Sequence, residues 1–313
     1  TQYDMSSNEH SEDLTMPLII SNFGIRDRKD YSPSALAGLF NMLNWPKISI
    51  ITPSYNQAQF LERTILSVLN QNYPNLEYII IDGGSSDGSL EVIMKFAGNI
   101  DHWVSEPDNG IYHAMNKGIL LAKGEYCQFL NSGDCLVSPD TTDKMLANIS
   151  DQGILIGNML KLHQNGKILR DKGTSFEKPT VLTFYRGTLN HSTAYIKRVL
   201  FNKYGLYDES LKIVSDWKWY FIVIGLNNEK VKYVNIDVSL FDMTGISNFR
   251  HDIENEERRQ VLEELLPVNV LADYDAYWRL IDQALRINRY KITRYFFWLI
   301  ERFLFKLQKS KVF

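Results

Sequence analysis

From residue 47 onward, short apolar runs alternate with amphipathic stretches. Residues 48–52 form a β-branched run closed by Pro53, and 76–81, 100–104 and 125–130 are further runs of strand length. Between them, 59–70 places Phe60, Leu61, Ile65, Val68 and Leu69 at helical spacing, and 88–96 and 111–122 predict two more helices. Strands alternating with helices imply a mainly parallel sheet covered on both faces, an α/β fold. In such sheets ligands bind beyond the carboxyl ends of the strands.

Past Asp140 the alternation loosens. Residues 154–160 and 167–170 predict strands around the turn Gln164-Asn165-Gly166, a hairpin. An apolar helix over 217–226 and a strand over 231–238 follow. A helix over 254–266 stops at Pro267, and 272–285 and 290–309 predict two more. At the other end, 1–16 is polar and aperiodic, while 18–20 suits a strand and 33–40 a helix capped by Ser32. The expected organisation is an N-terminal extension (1–46), a main domain (47–266) and a C-terminal helical segment (267–313).

Composition narrows the class. A formal charge of -3 gives no bias toward nucleic acid. Cys127 and Cys135 have no metal-ligand spacing and suit free thiols in a reducing compartment. With no signal-peptide pattern and no run of eighteen apolar residues, the expected location is cytoplasmic.

The chemistry-bearing residues follow the strands. Asn131-Ser132-Gly133-Asp134 ends the 125–130 run in a turn with a carboxylate, either an ordinary surface turn or a place for a hard cation that holds a diphosphate. Gly83, Gly84 and Gly88 lack the GxGxxG spacing, which argues against a nicotinamide or flavin enzyme. Asp82 just before them can accept the ring N–H of a uracil or thymine, while Asp87 better suits loop ordering or capping. After the first strand, Pro53, Ser54, Tyr55 and Asn56 offer a ring to a base or ribose and a candidate helix cap. Asp216 begins the helix over 217–226, where it or Ser215 suits an N-cap.

In order and spacing, ISIITPSYN, YIIIDGGSSDGS, SEPDNGIYHAMNKG, KGEYCQFLNSGDCL, His191 and GLYDESLKIVSD resemble the family 2 inverting glycosyltransferases of the GT-A fold. The resemblance runs from about Lys47 to about Ser247 and is strongest to the bacterial branch that builds O-antigen and capsular polysaccharide. It implies a GT-A (Rossmann-like) mixed sheet flanked by helices, with a C-terminal helical extension. It also implies a nucleotide-diphosphate sugar donor of UDP or dTDP type and a glycan or lipid-linked acceptor.

Residue by residue, the resemblance makes Asp216 the general base and Asp134 the ligand of a divalent cation, Mg or Mn. Pro53, Tyr55, Asn56, Asp82, Asn116, Lys117 and Ser132 fall on the donor side, and His191 and Asp208 on the acceptor side. His191 equally suits a buried hydrogen-bonded histidine, and Asp208 a loop-shaping one. The family commonly has Asp where His113 stands. Its central turn carries two or three carboxylates, whereas only Asp134 is present here. That depletion keeps open a non-catalytic scaffold of the same fold. A nucleotidyltransferase would want a glycine-rich basic loop after the first strand, and 52–59 is neither.

Residues 285–313 hold eight Lys or Arg against Glu301, interleaved with Tyr290, Tyr295, Phe296, Phe297, Trp298, Phe303 and Phe305. Such a helix suits either the inner face of an anionic membrane or packing onto the main domain.

Overall fold

The computed structural model describes residues 45–242 except 148, 150, 164 and 174–177, then 251–288, 295, 298–300 and 302. The expected N-terminal strand and helix lie outside the described residues, as does most of the helix expected over 290–309. Four parallel strands build the first half of the sheet: β1 (Ile48–Ser54), β2 (Leu76–Asp82), β3 (His102–Ser105) and β4 (Tyr126–Phe129). β1 is buried along its whole length and β2 almost so, as expected of strands covered on both faces. The intervening helices are α1 (Ala58–Leu69), α2 (Ser89–Phe96) and α3 (Ile111–Leu121). Gly118 lets α3 approach β1, because a Cβ there would lie 2.3 Å from Ile51 Cγ2.

After β4 come β5 (Cys135–Leu136), α4 (Thr141–Leu146), β6 (Ile154–Leu162), β7 (Ile168–Asp171), α5 (Val181–Arg186), β8 (Ala194–Lys197) and α6 (Val199–Tyr204). The chain then forms α7 (Ser215–Tyr220), a wider π-helical turn (Phe221–Leu226), β9 (Val231–Asp242), α8 (His251–Leu265) and α9 (Val268–Asn288). Among the described residues the sheet order is β3-β2-β1-β4-β8-β6-β9-β5, with β7 paired to β6. β8 runs antiparallel to both β4 and β6, so the parallel sheet turns mixed at β4.

The hairpin β6–β7 forms as the turn residues predict. The helix expected over 217–226 starts two residues earlier and widens at Phe221. Five short elements (β5, α4, α5, β8 and α6) have no counterpart in the expectations. Each has six residues or fewer, too few for a period to show, and β8 is a strand only because β4 and β6 flank it.

A buried aromatic group fills the space behind β4: Phe129, Phe201, Tyr207, Trp219 and Tyr112 pack with ring centroids 4.7–6.2 Å apart. Pro267 ends α8 and starts α9, its carbonyl accepting the Leu271 N–H at 2.9 Å.

Candidate active site

The order β2-β1-β4 reverses the direction of winding between β1 and β4, and the crevice beyond their carboxyl ends is where such a sheet binds ligands. The loops there are tied together. Ser132 donates to the Pro53 carbonyl through both its N–H (3.3 Å) and its hydroxyl (2.9 Å), so the turn after β4 is pinned to the end of β1. Gly133 sits at φ +104 and donates its N–H to Thr64 Oγ1, which in turn donates to the Asp134 carbonyl at 2.8 Å. The Asp134 side chain is 4% exposed. Tyr55, at 61% exposure, offers an open ring at the end of β1. Next to it Asn56 takes a left-handed φ of 50 and accepts the Ser86 N–H at 2.9 Å, while its own N–H goes to Ser85 Oγ.

Asp82 is fully buried at the end of β2. Its carboxylate accepts the Ser85 N–H (2.9 Å), the Ser85 hydroxyl (2.5 Å) and the Ser105 hydroxyl (2.7 Å). It therefore orders the loop that follows, a role expected of Asp87. Asp87 does the same one turn on, accepting from Ala58, Ser89 N–H and Ser89 Oγ.

Across the crevice, Asp216 lies in the first turn of α7. It is not the N-cap: Val214 takes that place without any side-chain cap hydrogen bond. Instead, Asp216 Oδ2 lies 3.2 Å from His191 Nδ1, and Oδ1 lies 3.0 Å from the Tyr112 hydroxyl. His191 Nε2 lies 3.2 Å from Asn131 Nδ2, so one imidazole spans the gap between the β4 turn and the carboxylate. As a neutral ring, His191 donates to Asp216 and accepts from Asn131. As an imidazolium it donates on both sides, and a half-turn of the Asn131 amide would present Oδ1, buried without a hydrogen bond as it stands.

Burial opposes charge on both groups. The hydrogen bond and charge of Asp216, aided by Asp134, nonetheless hold the imidazole above its ordinary range. His191, with the Tyr112 hydroxyl, holds the Asp216 carboxyl below its own. Burial and the Asp216 charge push Tyr112 well above the usual tyrosine range, so it keeps its proton.

The loop before α7 is fixed from α8. Glu257, nearly buried, accepts the backbone N–H groups of Lys212 (2.7 Å), Ile213 (3.0 Å) and Val214 (3.2 Å). Arg258 lies over the Trp217 ring at 4.8 Å and donates to the Gly187 carbonyl.

The sequence profile of glycosyl transferase family 2 matches residues 49–210, which span β1 through the Tyr207–Ser210 loop. The chain belongs to glycosyl transferase family 2. It is 27% identical over 210 residues to a PGL/p-HBAD biosynthesis glycosyltransferase of Mycobacterium bovis, covering 65% of this chain and 80% of that one. An uncharacterized glycosyltransferase of Mycobacterium tuberculosis is 30% identical over 212 residues, covering 67% and 80%. Among solved structures, S. aureus TarS 1-349 in complex with UDP has a TM-score of 0.53 at 20% identity, covering 63% of this chain and 60% of that chain. A Pyrobaculum calidifontis mannosyltransferase in complex with GDP-Man and Mn2+ has a TM-score of 0.50 at 14% identity, covering 90% and 92%. These structural likenesses show a shared fold, GT-A. The chain is accordingly a glycosyltransferase.

Within that family framework, the expected residues divide. Pro53, Tyr55, Asn56, Asp82, Ser132 and Asp134 gather around the ends of β1, β2 and β4, and His191 joins them to Asp216. Asn116, expected on the donor side, is buried. Its amide holds the backbone N–H and carbonyl of Tyr207 (3.0 and 2.9 Å) and reaches Glu209. Lys117 pairs with Glu106 at 2.8 Å, tying α3 to the loop after β3. Asp208 accepts from Ser210 and from Lys218, which also pairs with Glu264. Asp208 thus shapes its loop, the alternative its sequence position allowed.

Two residues were missed. Tyr112 precedes Asn116 by one helical turn, so both face the same way from α3, a spacing visible in GIYHAMN. Glu257 sits in a charged run that reads as a solvated face. It lies four residues before Val261, however, on the side that α8 buries.

Proposed function

We propose that the chain transfers a sugar, with inversion, from a nucleoside diphosphate sugar to a hydroxyl of a glycan or lipid-linked acceptor in surface polysaccharide synthesis. The observation that carries this reading is the line Asn131–His191–Asp216. It sets a carboxylate held in its ionised form one imidazole away from the turn that would face the departing diphosphate. Asp216 acts as general base. It takes the acceptor hydroxyl proton as the acceptor oxygen bonds to the anomeric carbon and the nucleoside diphosphate leaves with the other electron pair. Inversion follows if nucleophile and leaving group occupy opposite faces of the sugar ring.

On the donor side, Tyr55 stacks on the base or ribose, Asp82 exchanges the Ser85 hydroxyl it now accepts for a uracil or thymine N–H, and Pro53, Asn56 and Ser132 shape the pocket. Support for a nucleotide-sugar donor comes from TarS, solved with UDP, and from the mannosyltransferase, solved with GDP-Man and Mn2+. Lys117 supports this side by pairing with Glu106 in the loop after β3, while Asn116 works from behind by holding the loop at Tyr207. His191 and Asp208 serve the acceptor side, the first directly and the second through its loop.

Among the described residues no group of three His, Cys, Asp or Glu side chains could cage a metal ion. The turn's one carboxylate, Asp134, fits a divalent cation that keeps most of its waters and is completed by the diphosphate. When bound, such a cation supplies positive charge to the leaving diphosphate.

No helix among the described residues is long and apolar enough to cross a membrane. Exposed Tyr295, Trp298, Leu299 and Ile300, with Arg302 over the Trp298 ring, support attachment of 285–313 to an anionic inner membrane face. Loss of flotation with anionic vesicles on deleting that segment tests it, and unchanged flotation refutes it. For the donor site, UDP or dTDP with Mn²⁺ should raise the melting temperature by mass action. A transition that no nucleoside diphosphate moves would sink the donor assignment.

A further inference from the structure

The Tyr112 hydroxyl has one proton and two acceptors. It lies 2.5 Å from the Ile213 carbonyl and 3.0 Å from Asp216 Oδ1. The ring is buried and packs on Tyr207, with centroids 5.7 Å apart, so the side chain has little freedom beyond rotation of the O–H itself. The two acceptors are three residues apart on one short segment, which Glu257 clamps at the N–H groups of residues 212–214. With the proton directed to the Ile213 carbonyl, the phenol oxygen presents its lone pairs to Asp216; with the proton directed to Asp216, the phenol and carbonyl oxygens must draw apart from 2.5 Å.

We propose that Tyr112 is a positioning residue whose hydroxyl proton follows the state of Asp216, donated to the carboxylate while it is ionised and to the Ile213 carbonyl once it is protonated. The inference rests on Asp216 being the general base. In the resting site the Tyr112 O–H and the His191 Nδ1–H each occupy one carboxylate oxygen and set the plane in which the remaining lone pairs meet the acceptor. During transfer the acceptor proton moves to Asp216, the acceptor oxygen bonds to the anomeric carbon, and the diphosphate leaves. The new carboxyl O–H then needs a hydrogen-bond acceptor in a half-buried site, and the Tyr112 oxygen supplies it after its own proton turns to Ile213. Proton release to water returns the hydroxyl to its first orientation.

The groups that face Asp216 are Tyr112 from α3, His191 ahead of β8, Arg258 from α8, and Tyr207 and Tyr220. His191 lies 3.2 Å from Asp216 and 3.2 Å from Asn131, so its imidazole serves as the reporter of the carboxylate. The experiment follows its imidazole by NMR in the full chain, assigned by its absence in His191→Gln. Tyr112→Phe keeps the ring and removes the hydroxyl, so the carboxylate charge is less shared. The His191 midpoint should rise, while Asp216→Asn should lower it. UDP affinity with Mn²⁺, read by calorimetry, should stay within about twofold of wild type in Tyr112→Phe, since the hydroxyl lies away from the donor side.

A His191 midpoint unchanged in Tyr112→Phe overturns the inference, because pure ring packing would leave it in place. In wild-type protein, the tyrosine C–O infrared band that Tyr112→Phe removes should shift as Asp216 titrates and be insensitive in Asp216→Asn. A band that never responds also overturns it. Wild-type transfer rates in Asp216→Asn would instead sink the base assignment itself.

Discussion

Asp82 and Asp216 sit on opposite sides of the crevice, and the difference lies in what holds them. Asp82 takes its hydrogen bonds from a backbone N–H and two serine hydroxyls. None of these changes charge at neutral pH, so Asp82 is a fixed acceptor that sets the path of residues 83–85. Asp216 is held by an imidazole and a phenol that can redistribute their protons around it. One environment suits recognition of a fixed donor pattern and the other suits proton transfer. The supports differ too: Asp82 is carried by a buried parallel strand, whereas the segment before Asp216 depends on a clamp from a distant helix.

The comparison breaks most visibly at Asp216. Asp216→Asn should lower turnover by roughly 10²–10⁴, the usual loss of a general base, while UDP affinity holds. Turnover near wild type would remove the distinction between the two carboxylates.

Next in size is the clamp. Glu257→Ala leaves three backbone N–H groups without their carboxylate and should cost about 2–4 kcal/mol of stability, with transfer impaired and UDP binding retained in the folded fraction. Chemical denaturation and calorimetry together check this, and loss of UDP affinity in folded protein would show that the two sides are not separable.

Asp82→Ala should weaken UDP binding by roughly 1.5–3 kcal/mol, the scale of a hydrogen bond to a charged group. Unchanged affinity by calorimetry would restrict Asp82 to ordering its loop.

The smallest expected effect is on stability against pH. The raised His191 contributes stability that is complete below the unfolded imidazole value and lost as pH rises through the folded one. The lowered Asp216 contributes stability that is complete above the unfolded carboxyl value and lost as pH falls through the folded one. The stability gap between wild type and His191→Gln should therefore be widest at about pH 4–6.5, between the ordinary values of the two groups. A gap that widens steadily above that window would contradict the pairing.

Much of the parallel half was legible because its signals are local. A β-branched run such as residues 48–52 needs no partner to be read, and neither does the helical spacing of Phe60, Leu61, Ile65 and Val68. The turn at Asn131–Asp134 could be placed for the same reason, since small polar residues after an apolar run mark the end of a buried strand. The mixed half was less legible. Ala194–Lys197 is a strand only by virtue of β4 and β6 on either side, and four residues carry no period.

Sequence by itself determined that the chain from residue 47 to about 130 alternates strands and helices as a mainly parallel sheet, with carboxylates and a tyrosine just past strand ends, because hydrophobic period and turn chemistry act over a few residues. Only the tertiary structure decided which polar groups share a proton. Tyr112, Asn131, His191 and Asp216 are separated along the chain by tens of residues and meet because α3, β4, β8 and α7 converge on one crevice. The same convergence turned Asn116 from a candidate ligand contact into a buried clamp, and made Glu257 the acceptor of three N–H groups. Hydrogen bonding is decided at about 3 Å, and no spacing along a chain reports a distance across a fold.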